Sequence, residues 1–249
     1  MNKSPISALK AILFAAVASA LLAFVIPASA TVLSYQTSAS FNTAITGWAV
    51  TTTNFDNVLA GTIYSTGNGP PGSGFTLSLS SADSSVTPTV GNTFATTSGS
   101  NYLGLNNPDT AFEAGDVLTF SFAAPVRAFG LYVITGTFER GNAGDISLIG
   151  GGTSVGNSAT PDLLNIDPVS DAYFLGLVSN SGGFSSVTLN NSIADPNLLL
   201  PITVDNVMLA SPVPEPSSAV LMFIGLLGLG AASRYRARPN PTRPLNYNH

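Results

Sequence analysis

The side chains that could do chemistry in this sequence are almost all carboxylates and carboxamides. The only histidine is His249, and there is no cysteine. His249 lies beyond an apolar stretch from Ala219 to Ala232, so Ser-His-Asp and Cys-His catalysis, and zinc sites built on His or Cys, are excluded from the body that precedes that stretch. Two carboxylates acting as acid and base, as in glycoside hydrolysis, remain available. Glu113 with Asp116 and Glu139 with Asp145 are the close pairs. They sit in glycine-rich turns where acids ordinarily face water, so the expectation is a protein that is not an enzyme, with a carboxylate-dependent glycoside hydrolase as the alternative. Hard oxygen ligands suit calcium, and Asp56 with Asn57 near the first strand could converge with Asp205 and Asn206 near the last. Neither segment matches an EF-hand or a nonapeptide calcium loop. The competing reading is that these side chains cap turns and strand ends through local hydrogen bonds. Stacking on sugar rings would need exposed aromatics, for which Trp48, Tyr64, Tyr102 and Tyr132 are available, with Tyr64 and Tyr102 in polar, Gly- and Asn-rich settings, but core burial is the favoured reading of each.

The elements that must position these groups follow from periodicity. From Thr37 to Gly47, Phe41, Ala44 and Ile45 fall at i, i+3 and i+4, with Ser or Thr as N-cap and Gly47 as C-cap, which predicts a short helix. Afterwards the period is two. Phe75, Leu77 and Leu79 alternate with Thr76 and Ser78, and Leu118, Phe120 and Phe122 alternate with Thr119 and Ser121, the pattern of half-buried strands. Further strand runs are 126–135, 145–149, 172–178, 186–189 and 202–209. Between them lie Gly67-Asn68-Gly69-Pro70-Pro71-Gly72, Gly91-Asn92, Gly141-Asn142, Gly150-Gly151-Gly152 and Gly182-Gly183, which suit tight turns. Many short strands joined by such turns predict a mainly β protein, an antiparallel β-sandwich. No fixed-period repeat points to a propeller or solenoid.

Both ends read as addresses. Lys3 and Lys10 precede an apolar core from Ala11 to Ile26, and Ala28-Ser29-Ala30 fits a small-residue cleavage site, so residues 1–30 are expected to be a signal peptide for the Sec export machinery. The expected domain is then 31–211. Its basic residues are Arg127 and Arg140 against twelve acids, giving −10 where the whole chain has −5. Such a surface repels phosphate backbones and argues against nucleic acid as a partner. An exported chain without cysteine also lacks disulfides as a source of stability.

At the other end Pro214-Glu215-Pro216 precedes the apolar run, in which residues such as Leu221, Phe223, Ile224 and Leu227 each favour a bilayer by roughly 0.3 to 0.6 kcal/mol. From Ser217 to Ser233 the run reaches the lower bound of about 17 residues for a transmembrane helix. Arg234, Arg236 and Arg238 would hold its end at the cytoplasmic face. Gly225, Gly228 and Gly230 each weaken the helix by roughly 1 kcal/mol relative to alanine, which suits a temporary anchor.

These three parts, in this order, resemble the PEP-CTERM sorting signal of Gram-negative bacteria that make exopolysaccharide. The resemblance spans 212–238, with 239–249 expected to be a disordered tail. It implies recognition near Pro214-Glu215-Pro216 by an exosortase, a membrane transpeptidase-like enzyme, and delivery to the cell surface or extracellular matrix. The body resembles the secreted jelly-roll sandwiches that commonly precede this signal, through Asn54-Phe55-Asp56-Asn57, the run 118–130 and Ile202-Thr203-Val204-Asp205-Asn206-Val207. That resemblance implies a binding or structural module but names no ligand; exopolysaccharide is the candidate ligand of a matrix protein.

Overall fold

The computed structural model describes residues 31–107, 111–136, 142–192, 201–213 and 222–227. The expected signal peptide, Glu139, Pro214, Glu215, Pro216, Arg234, Arg236, Arg238 and the tail lie outside the described residues. The chain divides into two compact units, Met1–Ser211 and Pro212–His249.

In chain order the first unit contains β1 (Val32–Tyr35), α1 (Ser38–Ala44), β2 (Trp48–Thr53), β3 (Phe75–Ser80), β4 (Pro88–Gly91), β5 (Tyr102–Leu105), β6 (Val117–Val126), β7 (Ala128–Gly136), β8 (Ile146–Gly150), β9 (Thr153–Gly156), β10 (Leu163–Asp167), β11 (Ser170–Ser179), β12 (Phe184–Asn191) and β13 (Ile202–Pro212). One eight-stranded sheet runs β1-β11-β7-β13-β5-β4, with β10 also paired to β11 and β2 to β13, and a five-stranded sheet runs β3-β6-β12-β8-β9. Every pairing with a described register is antiparallel. The fold is thus a two-sheet, sandwich-like β structure, as the alternation and turn chemistry predict.

The core lies between the sheets. Leu77, Leu118, Phe120, Leu148, Val187 and Leu189 of the smaller sheet meet Leu103, Phe129, Leu131, Val133, Leu175, Leu177 and Val204 of the larger. A second cluster covers the other face of the larger sheet, where Phe41 and Ile45 pack with Ala128, Tyr132, Ile134, Ala172, Phe174 and Met208. Alternate residues of β7 therefore serve two cores, which is why β7 and β11 read as continuous apolar runs.

Helix α1 begins where Thr37 Oγ1 accepts from Ser40 N at 3.4 Å. It is seven residues long, too short to persist on its own, so docking of its apolar side chains must hold it. Phe41 and Ile45 are buried as expected, whereas Ala44 faces solvent. The docking floor is a pair of glycines, Gly130 and Gly176, directly opposite each other in β7 and β11. A Cβ at Gly176 would lie 2.6 Å from Phe41 Cδ2 and 2.8 Å from Phe174 Cε1. Gly176→Ala is therefore expected to cost about 1–3 kcal/mol by overpacking, and Phe41→Ala about 3–5 kcal/mol. In thermal melts the penalty of Gly176→Ala should shrink in the Phe41→Ala background; strict additivity would contradict this packing.

Candidate functional site

Two backbone kinks present the acids singled out by sequence. Phe55, at φ 62°, turns the chain out of β2 just before Asp56, and Asn206, at φ 49°, follows Asp205 at an irregularity in the β13–β7 register. Because β2 pairs with β13, both acids reach the same polar loop, Thr97-Ser98-Gly99-Ser100-Asn101. Asp205 Oδ2 accepts from Thr97 N at 2.9 Å, Thr97 Oγ1 at 2.8 Å, Ser98 N at 3.0 Å and Ser98 Oγ at 3.4 Å, while its Oδ1 accepts from Asn206 N at 2.7 Å. Asp56 Oδ1 accepts from Ser100 N at 2.7 Å and Asn101 N at 3.0 Å. The Asn206 carboxamide completes the joint, accepting from Ser98 Oγ and donating to Thr97 Oγ1.

Successive loop N–H groups thus point at two carboxylates from opposite ends of the sequence. Gly99 lies between them at φ +61°, and a Cβ there would sit 1.9–2.1 Å from the Asp56 carboxyl group. Asp205 is fully buried. Burial pushes its carboxyl above the ordinary carboxylate value, and hydrogen bonds from Thr97, Asn206 and Ser98 pull it partly back.

Asp56, Asp205 and Asn206 therefore converge as the sequence suggests, while Asn57 stays exposed on the turn. What surrounds the carboxylates is N–H and O–H donors, the opposite of the oxygen cage a calcium ion requires. Among the described residues no group of three or more His, Cys, Asp or Glu could hold a metal ion.

The same usage recurs. Asp83 accepts from Ser85 N, Asp116 from Glu113 N, Asp145 from Asn142 N, Asp162 from Ser38 N, Asp167 from Val169 N and Asp171 from Asn165 N. Every described aspartate thus accepts at least one backbone N–H, and Glu113 accepts from Asn107 Nδ2 at 3.1 Å. The pair Glu113 and Asp116 is joined through a backbone turn, with Asp116 buried. Of the other pair, Asp145 closes its own turn and Glu139 lies outside the described residues.

Of the four aromatic candidates, the structure places the three tyrosines in the core, the reading the sequence favours. Tyr64, Tyr102 and Tyr132 are buried, so none offers a face to a sugar ring. Tyr102 shares a hydrogen bond with Thr93 Oγ1 at 2.7 Å, and Tyr132 donates to Asp162 Oδ2 at 2.9 Å. Burial first, then the Asp162 carboxylate, pushes the Tyr132 hydroxyl up to about 12. Trp48 is half-buried with the Arg127 guanidinium 5.6 Å from its ring centroid. Tyr64 and Tyr102 lie in polar, glycine-rich stretches of sequence, and strand pairing outside those stretches buries them. Beside the clamped loop lies an open depression of about 380 Å³, lined by Asp56, Asn57, Leu59, Asn92 and Asn101 among others. Leu59, at 83% exposure, is its most exposed apolar side chain, beside Val58 and Ala60.

The second unit is described over 212–213 and over 222–227, a helical segment whose Met222, Phe223, Ile224, Leu226 and Leu227 are all exposed. No helix among the described residues is long and apolar enough to cross a membrane. Residues 212–237 match the family model of the PEP-CTERM protein-sorting motif. No match is found among curated proteins. The PEP-CTERM match starts at the first residue of the second unit and shares Pro212 with the end of β13. A PEP-CTERM motif implies exosortase-dependent processing and export to the cell surface by way of membrane anchoring, and this chain carries it together with a β-rich body.

Proposed function

We propose that this chain is a non-catalytic component of the cell surface or extracellular matrix whose sandwich domain binds exopolysaccharide through the depression beside the clamped loop. The observation that carries the reading is the engagement of the acids. Each described aspartate is tied to a backbone N–H, an arrangement suited to holding loops, whereas an acid–base pair needs two carboxyls facing a common substrate. The carboxamides of Asn57 and Asn92, beside the exposed Leu59, offer the mix of donors, acceptors and apolar surface that sugars require. The clamp carboxylates serve the loop and need no calcium.

The test is a glycan-binding screen of the processed protein with and without calcium, run beside a reducing-end release assay. Binding without turnover, unchanged by calcium and weakened several-fold by Asn57→Ala or Asn92→Ala, is the expected result. Sugar release that disappears in Glu113→Gln or Glu139→Gln would replace this reading with a hydrolase, and a calcium-dependent rise in melting temperature would restore a cation at the clamp.

A further inference from the structure

Sheet edges expose unpaired N–H and C=O groups that can pair with another chain, and folded proteins blunt them with short strands, bulges, charges or covering segments. In this molecule most edges are treated that way. The outer edge of β4 is covered by 61–64, through Gly61 N to Val90 O, Val90 N to Thr62 O and Tyr64 N to Pro88 O. That of β3 is covered by 67–68, through Gly67 N to Leu77 O and Leu77 N to Asn68 O. Strand β10 has an irregular register, holds Asn165 at φ 50° and ends on Asp167. Strands β1 and β9 are four residues each, and Gln36 Nε2 ties the end of β1 to Gly156 O of β9 at 2.7 Å.

Among the described residues strand β2 is the exception. Its sequence, Trp48-Ala49-Val50-Thr51-Thr52-Thr53, is β-branched and uncharged, its four central residues are exposed, and β13 is its one named partner strand. No acid or base occurs anywhere from Thr31 to Phe55. In a domain with a formal charge of −10, approach of a second copy is opposed by repulsion over most of the surface, and the neutral β2 edge is where that opposition is least.

We propose that β2 is a self-pairing edge: two copies of this chain join antiparallel along β2 around a two-fold axis, extending the larger sheet across the dimer. A two-fold contact of identical strands satisfies both edges at once and closes the assembly. Six residues bury less than a standard interface of roughly 1,200–2,000 Å², so the association is weak in solution. It is suited to a surface where copies are held close together and effective concentration is high.

The experiment is sedimentation of the processed protein over concentrations up to about 1 mM, the scale on which small interfaces populate. A concentration-dependent monomer–dimer equilibrium is expected. Val50→Lys with Thr52→Lys should weaken it at least about tenfold, because lysines would face lysines across the pair, while leaving the melting temperature unchanged. Ser154→Lys, on the edge strand β9, should leave dimerisation as it was. A protein monomeric throughout, a dimer indifferent to the β2 lysines, or one lost equally with Ser154→Lys would overturn the proposal. A dimer that forms only when exopolysaccharide is added would also overturn it, assigning the association to the sugar.

Discussion

Replacement of Pro214-Glu215-Pro216 by three alanines is expected to leave the chain unprocessed in the membrane fraction, with release to the surface reduced at least about tenfold. The two prolines carry no backbone N–H donor, so the tripeptide differs chemically from the apolar run that follows it in the sequence. Alanines change neither the hydrophobicity of that run nor the arginines after it, so insertion and orientation persist. What is lost is the feature an enzyme would read. Fractionation and immunoblotting in cells with an active exosortase measure the outcome, and normal release of the variant would show that Pro214-Glu215-Pro216 is not the mark. Replacing Arg234, Arg236 and Arg238 by glutamine separates the roles, because it removes the charge asymmetry that orients the segment and leaves the mark intact.

Asp205→Ala is expected to have the largest effect on the folded body. Three backbone donors, Thr97 N, Ser98 N and Asn206 N, lose their acceptor. Each buried donor left unsatisfied costs about 1–3 kcal/mol and these donors sit on half-buried residues, so a loss of about 3 kcal/mol follows, or roughly 10 °C in melting temperature for a domain of this size. Asp205→Asn should recover part of this, since its carbonyl can replace one oxygen while its amide group faces a donor. The pH dependence has a definite sign. The folded-state pKa is raised, so as pH falls through it toward the ordinary carboxylate value the folded form takes up the proton first and gains stability. The gap between wild type and Asp205→Ala should therefore widen on mild acidification; a gap that closed would contradict the raised value.

How far the sequence discloses this molecule depends on how local each signal is. Strands β3 and β6 are legible because one face is wet and the residues alternate. The run 126–135 reads as one strand but breaks at Arg127, whose guanidinium donates to Ser179 O and Asn180 O, and the chain passes there from the smaller sheet to the larger. Strand β5 escapes notice because all four residues are buried and no alternation exists, and β4 because it is four residues opening on a proline. At the site, the acids flanked by asparagine are visible, but the loop they grip is a run of Ser, Thr, Gly and Asn like several others. Its signal is small residues around Gly99, which free consecutive N–H groups to point outward. Its partners lie more than 100 residues away in the case of Asp205, beyond the reach of any local pattern.

That separation also sets an order of events. Strand β13 lies between β7 and β5 inside the larger sheet and carries Asp205, yet it is the last strand of the sandwich, ending at Pro212 where the sorting motif begins. A chain exported from its N-terminus cannot insert its central strand, or fasten the 97–101 loop, until residues 202–212 have emerged. The PEP-CTERM motif, which implies membrane anchoring, matches from Pro212 onward, so anchoring and completion of the domain draw on adjacent stretches of chain.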